Sequence, residues 1–320
     1  MHVGFSPAIR MEAFSPGEAP DPWITPRPED LSLWAAAAGG AVRWQARSDG
    51  QRWGHWETLL LVDEAAWSQY DGVVDLIRKG GTLPDRAACV ALTGAGFHGQ
   101  RGRLWSVCPG NLHLVVHLSP NRTAGEIGHG FTLLPAVACV RAIRRLTGGS
   151  VAAGIKWIND VVVDFRKVGG FVVSTQIQGK IIRDAVLGIG INIGSVPEVE
   201  PTPFVPQVGC LGEFYQGIGL PSLLPALLRE IDDLYGLLLR EGFMPLLAEY
   251  RRHSVMIGRA VRVWQETAEG SAEHLRSVPP VARGVVTAIA DDLALILEGR
   301  RDPVTHGRVA EESACRQMGL

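Results

Sequence analysis

The sequence has little of what ties a chain to an oxidising compartment, a membrane or a nucleic acid. Its five cysteines, Cys89, Cys108, Cys139, Cys210 and Cys315, are odd in number and scattered, with no Cys-x-x-Cys spacing. A disulfide framework and a zinc knuckle are therefore not expected, and a reducing cytoplasm fits. No apolar run approaches the roughly 18 residues that a membrane helix requires. The N-terminus lacks the charged stretch followed by an apolar one that marks a secretory signal. An excess of one charge is also missing: 31 Lys and Arg against 33 Asp and Glu leave a net −2. Bulk attraction to nucleic acid is not expected, and no pair of short helices joined by a tight turn marks a helix-turn-helix.

What is present divides into three parts. Residues 1–55 open with prolines (Pro7, Pro16, Pro20, Pro22, Pro26, Pro28). Proline fixes φ and removes a donor, so they read as an extended arm followed by a short helix at 31–38 and a strand at 41–46. Residues 56–255 read as mixed α and β. Strands are expected at 58–62, 87–93, 112–118 and 185–193, and helices at 65–79, 131–146 and 220–241. A hairpin is expected from 161–163 to 171–177, with 166–170 as its connection. Residues 195–209 are Pro-rich and loop-like. Residues 256–320 hold short strands at 260–264, 281–290, 293–298 and 304–309, the pattern of a small β-barrel. The fold class is α+β.

Three glycine-bearing stretches offer backbone NH groups, fixed cations and amides, which is what a phosphate-bearing ligand needs. They are residues 94–111, residues 156–170 (Lys-Trp-Ile-Asn-Asp-Val-Val-Val-Asp-Phe-Arg-Lys-Val-Gly-Gly) and Gly-Ile-Gly-Ile-Asn at 188–192. Their order is Arg101-Gly102-Arg103-Leu104-Trp105, Gly110-Asn111-Leu112, Lys156-Trp157-Ile158-Asn159-Asp160, Arg166-Lys167-Val168-Gly169-Gly170, then Gly188 to Asn192. In that order the chain resembles the biotin–protein ligase family, which shares its fold with lipoate ligases. The resemblance covers residues 56–310. It implies a mixed-sheet catalytic domain and a small C-terminal SH3-like barrel.

The resemblance implies an acid and ATP giving an acyl-adenylate, whose acyl group then passes to a lysine of a carrier. Lys167 would stabilise charge at the α-phosphate, with Lys156 as second cation and Asp160 as the third catalytic group. Asn159 and Asp160 would help hold Mg²⁺. Gly99, Gln100, Arg101, Gly102 and Arg103 would fold over the adenylate. Trp105, Asn111, Asn159, Gly169 and Asn192 complete the ligand-binding set. The implied partner is the biotinyl or lipoyl carrier domain of a carboxylase or dehydrogenase, with a homodimer left open. Departures from the family concern the acid. His98 and Gln100 stand where the family has arginines, the family's Ser-Thr-Asn is missing, and Ile158 replaces a proline. Biotin is the expected acid, with lipoate or octanoate as alternatives. An octanoyl transferase would need a nucleophile, for which Cys108 is the nearby candidate. A non-catalytic ligand-binding relative is the reading from another class. With His98 and Gln100 in place of two arginines, the 94–103 loop is expected to be loosely held.

Overall fold

The computed structural model describes residues 58–320 continuously, together with 23–24, 37, 42–46, 55 and 56. The arm and the helix at 31–38 otherwise lie outside the described residues.

A ten-stranded mixed sheet organises the fold. Its strands are β1 (Trp23–Ile24), β2 (Val42–Ala46), β3 (Thr58–Ala65), β4 (Ala87–Gly94), β5 (Leu112–Leu118), β6 (Arg122–Thr123), β7 (Gly154–Lys156), β8 (Asp160–Val163), β9 (Arg166–Gln178) and β10 (Ile181–Ile191). The order is β1-β2-β3-β4-β5-β10-β9-β8-β7, with β6 on β10. Of these pairs β3 and β4 run parallel and the others antiparallel.

The alternation of side chains along these strands separates two faces. Leu114, Ile189, Phe171 and Val161 belong to the main apolar core with helices α3 (Gly130–Leu146), α4 (Leu220–Glu241) and α5 (Met244–His253). Cys89, Val115 and Val186 belong to a smaller cluster with α1 (Gln69–Arg78). Helix α1 starts later than the apolar pattern suggests. Strand β3 runs on through Ala65, and the Ser68 hydroxyl caps the first turn by accepting from Asp71 N at 3.3 Å. A four-residue helix α2 (Ala124–Ile127) carries a Thr123/Glu126 capping box.

The hairpin differs from the expectation in a way that matters. Its turn is Asp164-Phe165, both at positive φ (47° and 60°), so 166–170 lies within β9 and is not the connection. Val161 pairs with Gly169 but Val162 pairs with Lys167, so β9 carries one extra residue. Such a bulge turns the side chains beyond it to the other face. Val168 enters the main core, and Lys167 comes out on the face of Asp160 and Gly170.

The C-terminal strands are β11 (Ala260–Trp264), β12 (Ala282–Ile289), β13 (Leu295–Leu297) and β14 (Arg308–Glu311), interrupted by α6 (Ala272–Ser277) and followed by α7 (Glu312–Gln317). They form an open antiparallel sheet, β13-β12-β11-β14. Its edge strands are not paired to each other among the described residues, so the closed barrel read from the sequence is not what the strand pairing shows. Val261, Val263, Val286 and Leu295 nevertheless join the main core. The Trp157 indole NH donates to Leu293 O at 2.7 Å.

Candidate functional site

Following the pairing register across the sheet gives one row on the face away from the core helices. Ala91 pairs with His113, His113 with Gly190, Gly190 with Gly170, Gly170 with Asp160 and Asp160 with Lys156. The two glycines make a trough in the middle of the row. A Cβ at Gly190 would lie 2.5 Å from Cε2 and Cζ2 of Trp105, and one at Gly170 would lie 3.3 Å from Trp105 Cζ3 and from Lys167 Nζ. The indole therefore lies flat along the trough, and only glycine permits that approach. One row over, Gly188 admits Tyr70 in the same way. Above this floor opens a cavity of about 750 Å³.

One end of the row is charged. Lys167 Nζ is 2.6 Å from Asp160 Oδ1 and 5.8 Å from the Trp105 ring centre. Lys156 donates through Nζ to the Phe204 carbonyl, and burial pushes its ammonium down to about 8, opposed by Asp160. The Lys156-to-Asp160 segment is pinned at nearly every position. Beyond the Trp157 bond, Tyr250 OH donates to Ile158 O at 3.1 Å, and Asn159 Nδ2 donates to Phe171 O at 2.6 Å. Arg308, from the C-terminal sheet, lies 3.8 Å over the Phe204 ring and donates to Ala268 O at 2.6 Å. Burial, with Arg103 close by, pushes its guanidinium down to about 10. Lys156, Lys167, Arg103 and Arg308 thus gather at this end with Asp160 between them, and Glu200 and Glu266 also line the cavity; the arrangement favours anions.

The other end is apolar and neutral. His113 is 5% exposed, with its ring centre 5.3 Å from that of Phe97. Burial pushes its imidazole down to about 4. The Cys108 backbone opposes that shift in part. Among the described residues Trp105 Nε1 and Asn192 Oδ1 are buried with no hydrogen-bond partner. An unpaired buried polar group costs about 1–3 kcal/mol.

The glycine loop is tied down, contrary to the expectation from its missing arginines. Gly99 N donates to Arg103 O and Trp105 N to Phe97 O, closing it as a tight hairpin. His98 bridges Gly99 O at 3.0 Å and Asp71 at 2.7 Å, and these bonds raise its pKa above the usual histidine value, the Gly99 carbonyl most. Arg101 Nε reaches Glu266, in the turn just after β11, at 3.0 Å. A raised folded-state pKa gives a contribution fully present below the unfolded value near 6.5, lost as pH rises through the raised value. Amides of residues 94–105, corrected for intrinsic exchange, are therefore expected to lose hydrogen-exchange protection as pH climbs above that range. Asp71→Asn should flatten this dependence; an unchanged profile in that variant would show that the pair does not hold the loop.

Of the residues singled out from sequence, the cavity brings together Lys156, Lys167, Asp160, Asn159, Trp105 and Asn192, with Gly99, Gln100, Arg101 and Arg103 at its rim. Gly102, Gly169 and Asn111 do not line it. Asn111 is instead a loop clamp: its Oδ1 accepts from Ile193 N, Gly194 N and Ser195 N, and its Nδ2 donates to Ser195 O. Asn192 lines the cavity but spends its amide hydrogens on Gly209 O at 3.0 Å. Asn159 and Asp160 both line the cavity, with Asp160 paired to Lys167. Among the described residues no three His, Cys, Asp or Glu side chains group as ligands, but a Mg²⁺ ion carried on substrate phosphates asks for only one or two protein carboxylates. His113 and Arg308 went unnoticed in the sequence. Two histidines, His113 and His117, in the otherwise apolar run Leu112–Leu118 were a usable signal; Arg308 offered none.

By architecture and site, this is an α+β protein with a single row of its sheet serving as the floor of a cation-rich ligand cavity. Residues 80–192 match the biotin/lipoate A/B protein ligase family. It is 26% identical over 204 residues to the biotin--[acetyl-CoA-carboxylase] ligase of Paracoccus denitrificans, covering 63% of this chain and 79% of that one. It is 28% identical over 192 residues to the bifunctional ligase/repressor BirA of Escherichia coli, covering 59% of this chain but only 58% of that relative's length. The fold is that of the biotin protein ligase of Aquifex aeolicus solved with biotin and ATP, with a TM-score of 0.57, 19% identity, and coverage of 79% of this chain and 98% of that one.

Proposed function

We propose that the chain is an ATP-dependent ligase that activates biotin, or a similar acid, as its acyl-adenylate and transfers the acyl group to a lysine of a carrier domain. One observation carries this: Lys156, Lys167, Arg103 and Arg308 converge on one end of a cavity whose other end is neutral. In the first step a carboxylate oxygen bonds to the α-phosphorus of ATP and pyrophosphate leaves. Negative charge from two anions then meets at one point, and Lys167, oriented by Asp160, supplies a fixed donor there. In the second step the carrier amine attacks the acyl carbon, loses a proton, and AMP leaves. The loop held by His98 and Arg101 keeps water from the mixed anhydride. A Mg²⁺ ion carried on the ATP phosphates would be met by Asp160, with Asn159 beside it, and would neutralise phosphate charge there.

The C-terminal sheet serves here as the family's SH3-like module, with a boundary near residue 255, and its contribution is Arg308. A cytoplasmic site fits the free thiols of all five cysteines. Among the described residues no helix is long and apolar enough to cross a membrane. An octanoyl transferase is disfavoured because Cys108 does not line the cavity.

The test is pyrophosphate release from ATP with biotin, lipoate or octanoate offered singly. Release dependent on one acid supports the ligase; none with any acid removes it. Lys156 adds a pH signature. Its cation is present below about 8 and lost above, so kcat/KM, which reports free-enzyme groups, is expected to fall as pH rises through that value. Lys156→Arg, which stays charged, should abolish the fall. A profile flat to pH 9.5 would remove Lys156 from ligand binding.

A further inference from the structure

The loop from Thr202 to Gly209 joins the two parts of the chain, and one of its side chains crosses between them. Phe204 is 4% exposed and lies in an apolar cluster with Trp264, Leu275, Ala310 and Cys315. Among the described residues it is the one buried member of that cluster from outside 256–320. Its ring meets that of Trp264 edge-on, with centres 5.7 Å apart. The same ring carries the Arg308 guanidinium at 3.8 Å. Thr202 sits close as well, since a Cβ at Gly270 would lie 2.9 Å from its Cγ2.

The backbone of the same loop faces the cavity lysines. Lys156 donates through Nζ to the carbonyl of Phe204 itself. Lys167 N donates to Gln207 O at 3.0 Å and Gly209 N to Lys167 O at 2.9 Å, so residues 207–209 pair with β9 at its bulge. Ring and carbonyl of Phe204 are rigidly linked. Thr202 and Val205 exchange both backbone hydrogen bonds, at 3.1 and 3.0 Å, and the Thr202 hydroxyl accepts from Val205 N at 3.0 Å. Pro203 fixes its own φ within this turn. A lysine ammonium on its flexible stem has no such fixity, so its place is set by the acceptor that holds it. Here that acceptor belongs to a residue whose ring is buried in the cluster of the C-terminal sheet.

We propose that Phe204 is a positioning residue: its ring, seated in the C-terminal sheet, sets where its carbonyl holds Lys156 and where its face holds Arg308. The C-terminal sheet thereby acts on two cavity cations through one side chain, and the two do not move independently. This rests on the ligase reading for the anion that those cations meet.

The experiment is a double-mutant cycle on the full chain, read by calorimetric titration with ATP. Phe204→Ala and Lys156→Met are each expected to weaken ATP binding about 10-fold, the loss of one charge-assisted contact. The double variant should be no more than about twofold weaker than Lys156→Met alone, because only independent sites multiply their losses. Carbon NMR of the lysine Cε positions gives a reading that needs no ligand. The chain has four lysines, of which Lys79 and Lys180 are exposed, and the Lys156 signal is the one lost in Lys156→Met. That signal is expected to stand apart in the wild type and to move towards those of Lys79 and Lys180 in Phe204→Ala, while Lys167 keeps its shift beside Asp160. Phe204→Leu refills the cluster without an aromatic face, so the test stands even if the alanine variant does not fold. It should leave the Lys156 signal in place, and its loss of ATP affinity should vanish in an Arg308→Gln background. Losses that multiply in both cycles would overturn the proposal, as would a Lys156 signal unmoved in Phe204→Ala. Non-additive cycles with no pyrophosphate release on any acid would support it while removing the ligase reading. Acid-dependent release with multiplying losses would overturn it and leave the ligase standing.

Discussion

Lys167→Ala is expected to lower acid-dependent pyrophosphate release by about 10²–10³-fold, the usual loss when one preorganised donor to a developing charge is removed. Two arguments set the size. Lys167 is held by a 2.6 Å ion pair with Asp160, so its position costs no reorganisation during the reaction. The bulge in β9 also gives it a rigid strand mounting. The variant strands a partly buried carboxylate, and that side effect is separable. Lys167→Ala/Asp160→Asn should restore stability without restoring turnover. Single-turnover pyrophosphate release, with thermal melts of both variants, makes the measurement. Near wild-type turnover in Lys167→Ala would remove the residue from the chemistry. Recovery of turnover in the double variant would show that the loss came from Asp160.

The second large effect is expected at a residue with no side chain. Gly190→Ala places a methyl group 2.5 Å from two indole carbons of Trp105, closer than such atoms approach. The ring cannot sink, because backbone lies beneath it, so it must lift into the cavity. Overpacking of this kind costs about 1–3 kcal/mol of stability. Displacing a positioning group by about 1 Å can cost on the order of 10²-fold in rate. Acid affinity and turnover should therefore fall together while the chain still melts cooperatively. Gly125→Ala, where a methyl group meets nothing within 4 Å, is the control and should change neither. Full acid affinity in Gly190→Ala would show that the trough does not set the position of Trp105.

Much of the site was legible because its chemistry is local in sequence. Lys156, Asp160 and Lys167 lie on three successive strands, β7, β8 and β9, and their residue types carry their meaning without knowledge of the fold. Trp105 was legible as a ring after a glycine loop, and the glycines of β10 as a close approach. The strands at 87–93 and 112–118 and the helix at 220–241 came through because each has a sustained period. What failed did so for physical reasons. Asn111 looks like a ligand group, but an amide can equally satisfy three backbone NH groups, and only the path of residues 193–195 decides. The connection of the hairpin was misplaced because Phe165 at positive φ is not a turn signal that sequence advertises. Helix α5 was missed because its apolar face is short, with Leu246, Leu247 and Tyr250 buried. Arg308 reaches the site through Phe204, about a hundred residues away in the chain, and no local pattern encodes such a meeting.

The bulge in β9 has a consequence for how this segment can change over evolutionary time. Along a strand, the face a side chain takes is a matter of odd and even counting from a reference residue, and Val168 is the one residue that breaks the count between Gly170 and Lys167. Lys167 faces the cavity because Val168 is taken up as the extra residue, so that Gly169 stays opposite Val161 and Lys167 opposite Val162. Deleting Val168 would remove the bulge and leave Lys167 opposite Val162, still on the cavity face. Drawing Val168 into a regular ladder would instead set it opposite Val162 and turn Lys167 toward the helices. A register slip of one residue therefore silences the site with every other residue of it still in place, whereas a clean loss of the extra residue does not.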